Sequence, residues 1–314
     1  MRVLITGGTG LIGRALSENL IADGHDVTVL SRSPERARST ERAGGLADGV
    51  RVEGWDARTA QGWGQLADGA DAIVNLAGSS IAGQGFFPSR WTDKQRRLIR
   101  ESRLNSSLAV MEAVTQAEQK PRVVIQASGV GYYGYRGDEA LTEESGPGDD
   151  WAARFTAEEW EPSTASVEEM GVRRVVARTG VVLSTEDGAL PRLLLPFRLF
   201  VGGPMGNGKQ WVSWIHLEDQ ARALRFLIEN EEAQGAINIT SPNPVTNGEL
   251  AKAIGKVMGR PSWIPVPGFA LRLAFGEVAE VVLKGQRAVP QRLLDLGFEF
   301  RFAAAEATMK DLLG

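Results

Sequence analysis

The chain has 314 residues, with 35 Lys and Arg against 39 Asp and Glu for a formal charge of −4, and it contains no cysteine. That length can bury a sizeable core, as one large α/β unit or a nucleotide-binding domain with a smaller companion, without metal or disulfide staples. The charge balance excludes a global basic field of the kind that draws a protein onto nucleic acid or anionic lipid, and the missing cysteines exclude disulfides, thiolate nucleophiles and thiolate-held metals.

In chain order, Met1 leads straight into Val3-Leu4-Ile5, without the charged lead and long apolar run of a signal peptide, so cytoplasm is the expected location. A helical pattern over 11–22 and a strand at Val27-Thr28-Val29-Leu30 follow, then a weaker strand near Val50-Arg51-Val52 and another at Ala72-Ile73-Val74. A helix fits 92–117, Val123-Val124-Ile125 reads as a buried strand, 150–170 as a helix and Arg174-Val175-Val176-Ala177 as a strand. Branched apolar runs alternating with helices are the pattern of βαβ units and a parallel sheet. The predicted fold is α/β, a doubly wound parallel sheet over 1–180, a mixed core and cap segment over 181–245, and a small, mostly helical C-terminal cap over 246–314. The cap's first helix opens on Thr246-Asn247-Gly248-Glu249, a Ser/Thr-x-x-Glu capping pattern, and Gly259 is placed to stop it; further helices are expected near 268–284 and 303–313. The most apolar later stretch, 190–201, is broken by Pro191, Arg192, Pro196 and Arg198 and falls short of the roughly 20 residues needed to span a bilayer, so no membrane partner is expected.

The most informative segment is Gly7-Gly8-Thr9-Gly10-Leu11-Ile12-Gly13, which lies directly after a strand and directly before a helix. Its first glycine permits a sharp turn, Gly10 lets backbone approach a pyrophosphate, and Gly13 lets helix and strand pack closely. The helix N-terminus then offers free N–H groups and a positive dipole end to phosphate, which makes the domain a Rossmann-type dinucleotide binder. An NAD-selective site places an acidic side chain at the end of the second strand; this chain has Ser31-Arg32 there, with Arg36 as a weaker second contact. A guanidinium pairs with a 2′-phosphate that a carboxylate would repel, so NADP(H) is the expected cofactor, with NAD as the alternative.

With 6–13 joined to Asn75-Leu76-Ala77-Gly78, the chain resembles the extended short-chain dehydrogenase/reductase superfamily of the nucleotide-sugar epimerase/dehydratase type. Ser128-Gly129-Val130-Gly131-Tyr132-Tyr133-Gly134, the segment 206–216 and Leu283-Lys284-Gly285-Gln286-Arg287-Ala288-Val289-Pro290 are similar to an NAD(P)-binding epimerase-family branch. Its members are labelled as nucleoside-diphosphate-sugar epimerases or as cell-division inhibitors and carry a C-terminal helical domain. The resemblance implies that Asp56 accepts from the adenine amino group and that Leu76, Ala77 and Gly78 run past the ribose. It also implies that Arg103 contacts the cofactor where the superfamily usually has Asn, and that Val182 lies beside the carboxamide. Asp56 read on its own is equally a turn residue.

The superfamily's Tyr-x-x-x-Lys pair is missing: the helix at 150–170 has no Tyr or Lys, no lysine occurs between Lys120 and Lys209, and the pair's expected positions hold Ala153 and Ala157. Replacement candidates lie on the loop after the fifth strand: Ser128, which occupies the place of the active-site hydroxyl, with Tyr132 and Tyr133 close behind. Arg136, four residues after Tyr132, is a cation for a phenol, although helical spacing has no force in a glycine-rich loop. The alternative for both tyrosines is a pocket lining or core role. Glu158 and Glu159 are carboxylate candidates better read as solvated helix charges, and His216 with Asp219 reads as a structural pair at the domain junction. Two histidines without cysteine offer no metal-ligand spacing. The resulting expectation is an NADP(H)-dependent oxidoreductase or isomerase exchanging hydride with a small polar substrate such as a sugar nucleotide, with no nucleic-acid partner and with homo-oligomerisation open. The competing reading is a non-catalytic NADP(H)-dependent binding or regulatory protein.

Overall fold

The central apolar runs form strands buried on both faces, because helices cover the sheet on either side, whereas the weaker run near residue 51 forms an edge strand in which only Val52 is buried. The computed structural model describes residues 1–38, 45–83, 85 and 89–314. The first half contains β1 (Arg2–Thr6), α1 (Leu11–Ala22), β2 (Asp26–Ser31), the short α2 (Pro34–Arg38), β3 (Arg51–Gly54), β4 (Ala72–Asn75) and α3 (Asp93–Gln116). After these come β5 (Val123–Gly129), β6 (Ala140–Leu141), α4 (Trp151–Phe155), β7 (Arg173–Thr179) and β8 (Val181–Leu183). The remainder is α5 (Leu190–Arg198), β9 (Trp211–Val212), β10 (Trp214–His216), α6 (Leu217–Glu229), β11 (Gly235–Ile239), β12 (Val245–Thr246) and α7 (Asn247–Met258). Then follow α8 (Gly268–Phe275), α9 (Glu280–Leu283), β13 (Arg287–Ala288), α10 (Gln291–Asp295) and α11 (Ala305–Leu313).

Seven strands form one parallel sheet in the order β11-β7-β5-β4-β1-β2-β3, so the order reverses between β1 and β4. That reversal opens a crevice at the carboxyl ends of the two strands, where doubly wound folds bind ligands. The sheet draws its edge strand from 235–239, beyond the 1–180 segment read as the core, because β11 lies parallel to β7 with Asn238 opposite Arg178. One core lies under α1 and α6, built on Val3, Ile5, Leu16, Leu20, Leu224 and Leu227. A second lies under α3, around Leu4, Ile73, Val110, Val114 and the wholly buried Trp63.

Local capping explains why α3 and α7 begin where the sequence places them. The Thr92 hydroxyl accepts from the Gln95 N–H, and Thr246 and Glu249 form a reciprocal capping box before α7, which ends on Gly259 at φ +61°. The stretch 150–170 is helical but irregular. Asp150 caps α4, a wide π-helical turn follows over Thr156–Trp160, and a 3₁₀ segment with Pro162 in its first turn runs to Met170. Proline has no N–H to continue the α-helical ladder.

Candidate active site

The glycine loop is tight where backbone must pass. Gly7 sits at φ +68°, and a Cβ on it would lie 2.7 Å from the Leu76 carbonyl carbon, while a Cβ on Gly13 would lie 2.5 Å from Gly8 Cα and 2.7 Å from the Gly7 oxygen. Gly10, which caps α1, would meet only the Gly7 oxygen, at 3.3 Å. The loop therefore leaves the α1 N-terminus open, with a hollow that a side chain at position 10 would fill. This cradle fits a pyrophosphate. Because both neighbours of Gly13 are backbone atoms that cannot rotate aside, Gly13→Ala should cost about 1–3 kcal/mol of folding free energy, read as a lowered urea midpoint. An unchanged midpoint would mean that the loop relaxes.

A buried polar chain pins the strand ends beside this cradle. The Thr6 hydroxyl donates to Asn75 Oδ1 at 2.6 Å, the Asn75 amide donates to Gln126 Oε1 at 3.0 Å, and the Ser107 hydroxyl donates to the same Gln126 oxygen at 3.3 Å. The Ala77 N–H donates to Thr6 Oγ1 and the Leu76 N–H to the Thr6 carbonyl, so Leu76, Ala77 and Gly78 turn past the mouth of the loop. Gln126 and Ser107 were not singled out from sequence, where each is one polar residue among many.

Arg103 reaches the same turn from α3. Its Nη1 donates to the Ser79 carbonyl at 3.0 Å and the Ile99 carbonyl at 3.2 Å, and its guanidinium lies 4.7 Å from the Trp160 ring centroid. Among the described residues no carboxylate pairs with it, and burial pulls its pKa down to about 10. Val182, on β8, flanks the other side: a Cβ on Gly188 would lie 3.6 Å from Leu11 and 3.7 Å from the Val182 carbonyl. Glu186 in the same loop pairs with Arg14 of α1 at 3.0 Å.

Ser31 ends β2, buried, with its Oγ accepting from the Ser33 N–H at 3.2 Å. Arg32 is exposed, and its side chain makes no hydrogen bond or ion pair among the described residues. Asp56 closes a turn: its carboxylate accepts from the Arg58 N–H at 2.7 Å, the Thr59 N–H at 2.8 Å and the Thr59 hydroxyl at 2.9 Å. The Thr59 N–H contributes most to holding that carboxyl below its ordinary pKa. The turn role is thus present in the fold, and an adenine contact would use the lone pairs left over.

Ser128 lies within the end of β5 and not on the loop after it, and together with Tyr132 and Tyr133 of that loop it surrounds a buried ion pair. Arg178 meets Glu161 in a two-pronged contact, Nε to Oε1 and Nη2 to Oε2, both at 2.8 Å. The Ser128 hydroxyl donates to Glu161 Oε1 at 2.6 Å. The Tyr133 hydroxyl accepts from Arg178 Nη1 at 3.1 Å and donates to Asn238 Oδ1 at 2.7 Å. Tyr133 is wholly buried, and burial pushes its phenol pKa up against the opposing pull of Arg178. Tyr132 is placed differently: half-buried, its ring rests 3.4 Å from the Arg178 guanidinium carbon, and its hydroxyl has no partner among the described residues. The cation beside Tyr132 is therefore Arg178 and not Arg136, which donates instead to the Gly146 and Pro147 carbonyls at 3.0 Å each. Glu161, Arg178 and Asn238 went unassigned in the sequence because they lie on the 3₁₀ segment, β7 and β11, which only the fold brings together.

The other candidates are committed elsewhere. Glu159 pairs with Arg100 at 2.6 Å, and Glu158 is exposed. His216 caps α6 through Nδ1, and its Nε2 lies 3.2 Å from Asp311. The wholly buried Asp219 accepts the Arg301 and Phe302 N–H groups, so together the two residues clamp the C-terminal segment. Ala153, read from sequence as standing where the tyrosine is expected, is wholly buried.

This arrangement coincides with what the chain is related to. Residues 3–240 match the NAD dependent epimerase/dehydratase family and 266–312 a domain of unknown function, DUF1731. The chain belongs to that epimerase/dehydratase family. It is 39% identical over its whole length to the Bacillus subtilis epimerase family protein YfhF, covering 98% of that protein, and 36% identical to human SDR39U1, covering 100% of it. A crystal structure of human SDR39U1 (isoform 2) with NADPH superimposes with a TM-score of 0.85 at 35% identity over 99% of both chains. A UDP-N-acetylglucosamine 4-epimerase from Methanobrevibacter ruminantium shares the fold at 18% identity, with a TM-score of 0.76 over 99% of this chain and 96% of that one.

Proposed function

We propose that this family member is an NADP(H)-dependent oxidoreductase or isomerase acting on a small polar substrate, with a sugar nucleotide as the first candidate. The bound cofactor would supply a hydride donor or acceptor at its nicotinamide. The glycine cradle and the α1 N-terminus would hold the pyrophosphate, Ser31 and Arg32 the 2′-phosphate, and Leu76–Gly78 with Val182 the nicotinamide end. Arg103 would provide from α3 the cation that the superfamily usually provides as lysine from the helix at 150–170. With no carboxylate partner among the described residues, that charge would be available to ribose or phosphate oxygens.

The observation that carries the catalytic half is the Tyr132 hydroxyl, without a partner among the described residues, on a ring fixed against Arg178. Tyr132 would exchange a proton with the substrate's hydroxyl or carbonyl. Ser128 and Tyr133, whose hydroxyls already bond to Glu161, Arg178 and Asn238, would hold that surface in place. General acid–base catalysis by a positioned side chain contributes about 10²–10⁴-fold. With NADPH and a panel of sugar nucleotides and small carbonyls, Tyr132→Phe should therefore lower turnover at least about a hundredfold without changing the NADPH dissociation constant. Full turnover in that variant would remove Tyr132 from the mechanism. The buried Ala153 and the irregular helix around it favour the second reading, an NADP(H)-dependent binding protein. A wild-type chain that binds NADPH and turns over nothing in the panel would support it.

A further inference from the structure

We infer that the surface formed by the end of α5 and the segment before α8 docks on the interface of a bilayer containing anionic phospholipid. The two stretches that build it are unlike the rest of this acidic chain. Between Asp187 and Glu218 there is no Asp or Glu, but there are Arg192, Arg198 and Lys209; between Glu249 and Glu277 there is again none, but there are Lys252, Lys256, Arg260 and Arg272. Of these, Lys256 pairs with Glu306 at 2.8 Å and Arg272 with Glu280 at 2.7 Å, so Arg198 and Arg260 carry the charge at the junction. The fold brings them side by side, with the Ile264 N–H donating to the Gly202 carbonyl at 3.1 Å and the Val266 N–H to the Pro204 carbonyl at 2.9 Å.

Large apolar side chains stand outward at this junction. Leu199 is 63% exposed, Phe200 54%, Val201 48% and Trp263 76%. Phe200 sits at φ +62°, a conformation rare for a bulky residue, and its ring lies 3.9 Å from the Arg260 guanidinium carbon. Arg198 is exposed alongside. The acid-free stretch continues into α8, where Phe269 is 73% and Leu273 75% exposed, one turn apart.

Exposed Trp, Phe and Leu flanked by arginine is the composition of surfaces that lie in the headgroup region, where apolar side chains enter the acyl boundary and guanidinium groups meet lipid phosphate. A second copy is a poor occupant. A two-fold contact would set this patch against itself, bringing arginines together with no carboxylate from either stretch. No helix among the described residues is long and apolar enough to cross a membrane, so the contact would be peripheral, which departs from the expectation of no membrane partner that the short span of 190–201 supported.

The test is co-sedimentation of the full chain with phosphatidylcholine vesicles and with vesicles containing phosphatidylglycerol, at low and high salt. Binding is expected only with phosphatidylglycerol and is expected to weaken with salt. It should fall at least about tenfold in a variant carrying Leu199→Ser, Phe200→Ser and Trp263→Ser, and in one carrying Arg198→Glu and Arg260→Glu. Both variants should keep the wild-type NADPH affinity and urea midpoint, because none of the substituted side chains belongs to the glycine cradle or to a buried core cluster. Equal sedimentation with and without phosphatidylglycerol vesicles overturns the proposal, even if an acidic protein binds the patch. A patch variant that converts a dimer to a monomer while vesicle binding persists overturns it as well and assigns the surface to a second copy.

Discussion

Replacing Arg32 with alanine should weaken NADP⁺ binding by about tenfold to a hundredfold while leaving NAD⁺ affinity within about twofold. The difference between the two ligands is one phosphate on the adenosine ribose, so a side chain that meets only that phosphate must act on one affinity and not the other. A hydrogen bond to a charged group is worth about 1.5–3 kcal/mol net, and each 1.4 kcal/mol is a factor of ten. Arg32 is exposed and makes no ion pair within the described protein, so binding would not first have to break an internal contact. Its exposure also means that salt screens it: the gap between the two cofactors should narrow as ionic strength rises. Titration of wild type and variant with both nucleotides at two salt concentrations measures all of this. Equal losses for NADP⁺ and NAD⁺ would show that Arg32 acts on the loop as a whole and not on the 2′-phosphate.

The place of Arg32 just after β2 was legible in the sequence because the strand's end is fixed by local pattern, and the same holds for the position of the glycine loop, the start of α3 and the cap at Thr246. Those features depend on residues within a few positions of one another. The edge strand β11 was harder to read, since Gly235-Ala236-Ile237-Asn238-Ile239 carries a polar residue in its middle and is justified only by its neighbour β7. Farthest from legibility was the support beneath Tyr132. Glu161 lies 17 residues from Arg178, Ser128 lies 33 from Glu161, and Tyr133 lies 105 from Asn238. A lone Glu after a tryptophan and a lone Arg in a strand give no signal until the β5–β7 register sets Ser128 opposite Arg178. The absence of the Tyr-x-x-x-Lys pair could be read from sequence, but what stands in its region could not.

That support predicts the largest change in stability. Glu161→Ala should cost about 3–5 kcal/mol, because it leaves the Arg178 guanidinium buried without its carboxylate and takes the acceptor from Ser128. Burial disfavours the charge on Arg178, but the Glu161 hydrogen bonds and attraction outweigh it and raise its pKa above the ordinary arginine value. A cation stabilised by folding contributes below its unfolded pKa and loses that contribution only as pH rises through the folded one. The deficit of Glu161→Ala should therefore be flat across the neutral range. Removing both charges, as Glu161→Leu with Arg178→Met, should recover most of the loss, since neither group is left alone in a low-dielectric site. Urea unfolding of Glu161→Leu, Arg178→Met and the double measures the coupling, and a double variant as unstable as the sum of those singles would show that the pair does not act as a unit. Stability and positioning then separate. The double variant regains the fold but has no guanidinium under the Tyr132 ring, so on any substrate turned over its kcat should stay low while its NADPH affinity returns to the wild-type value.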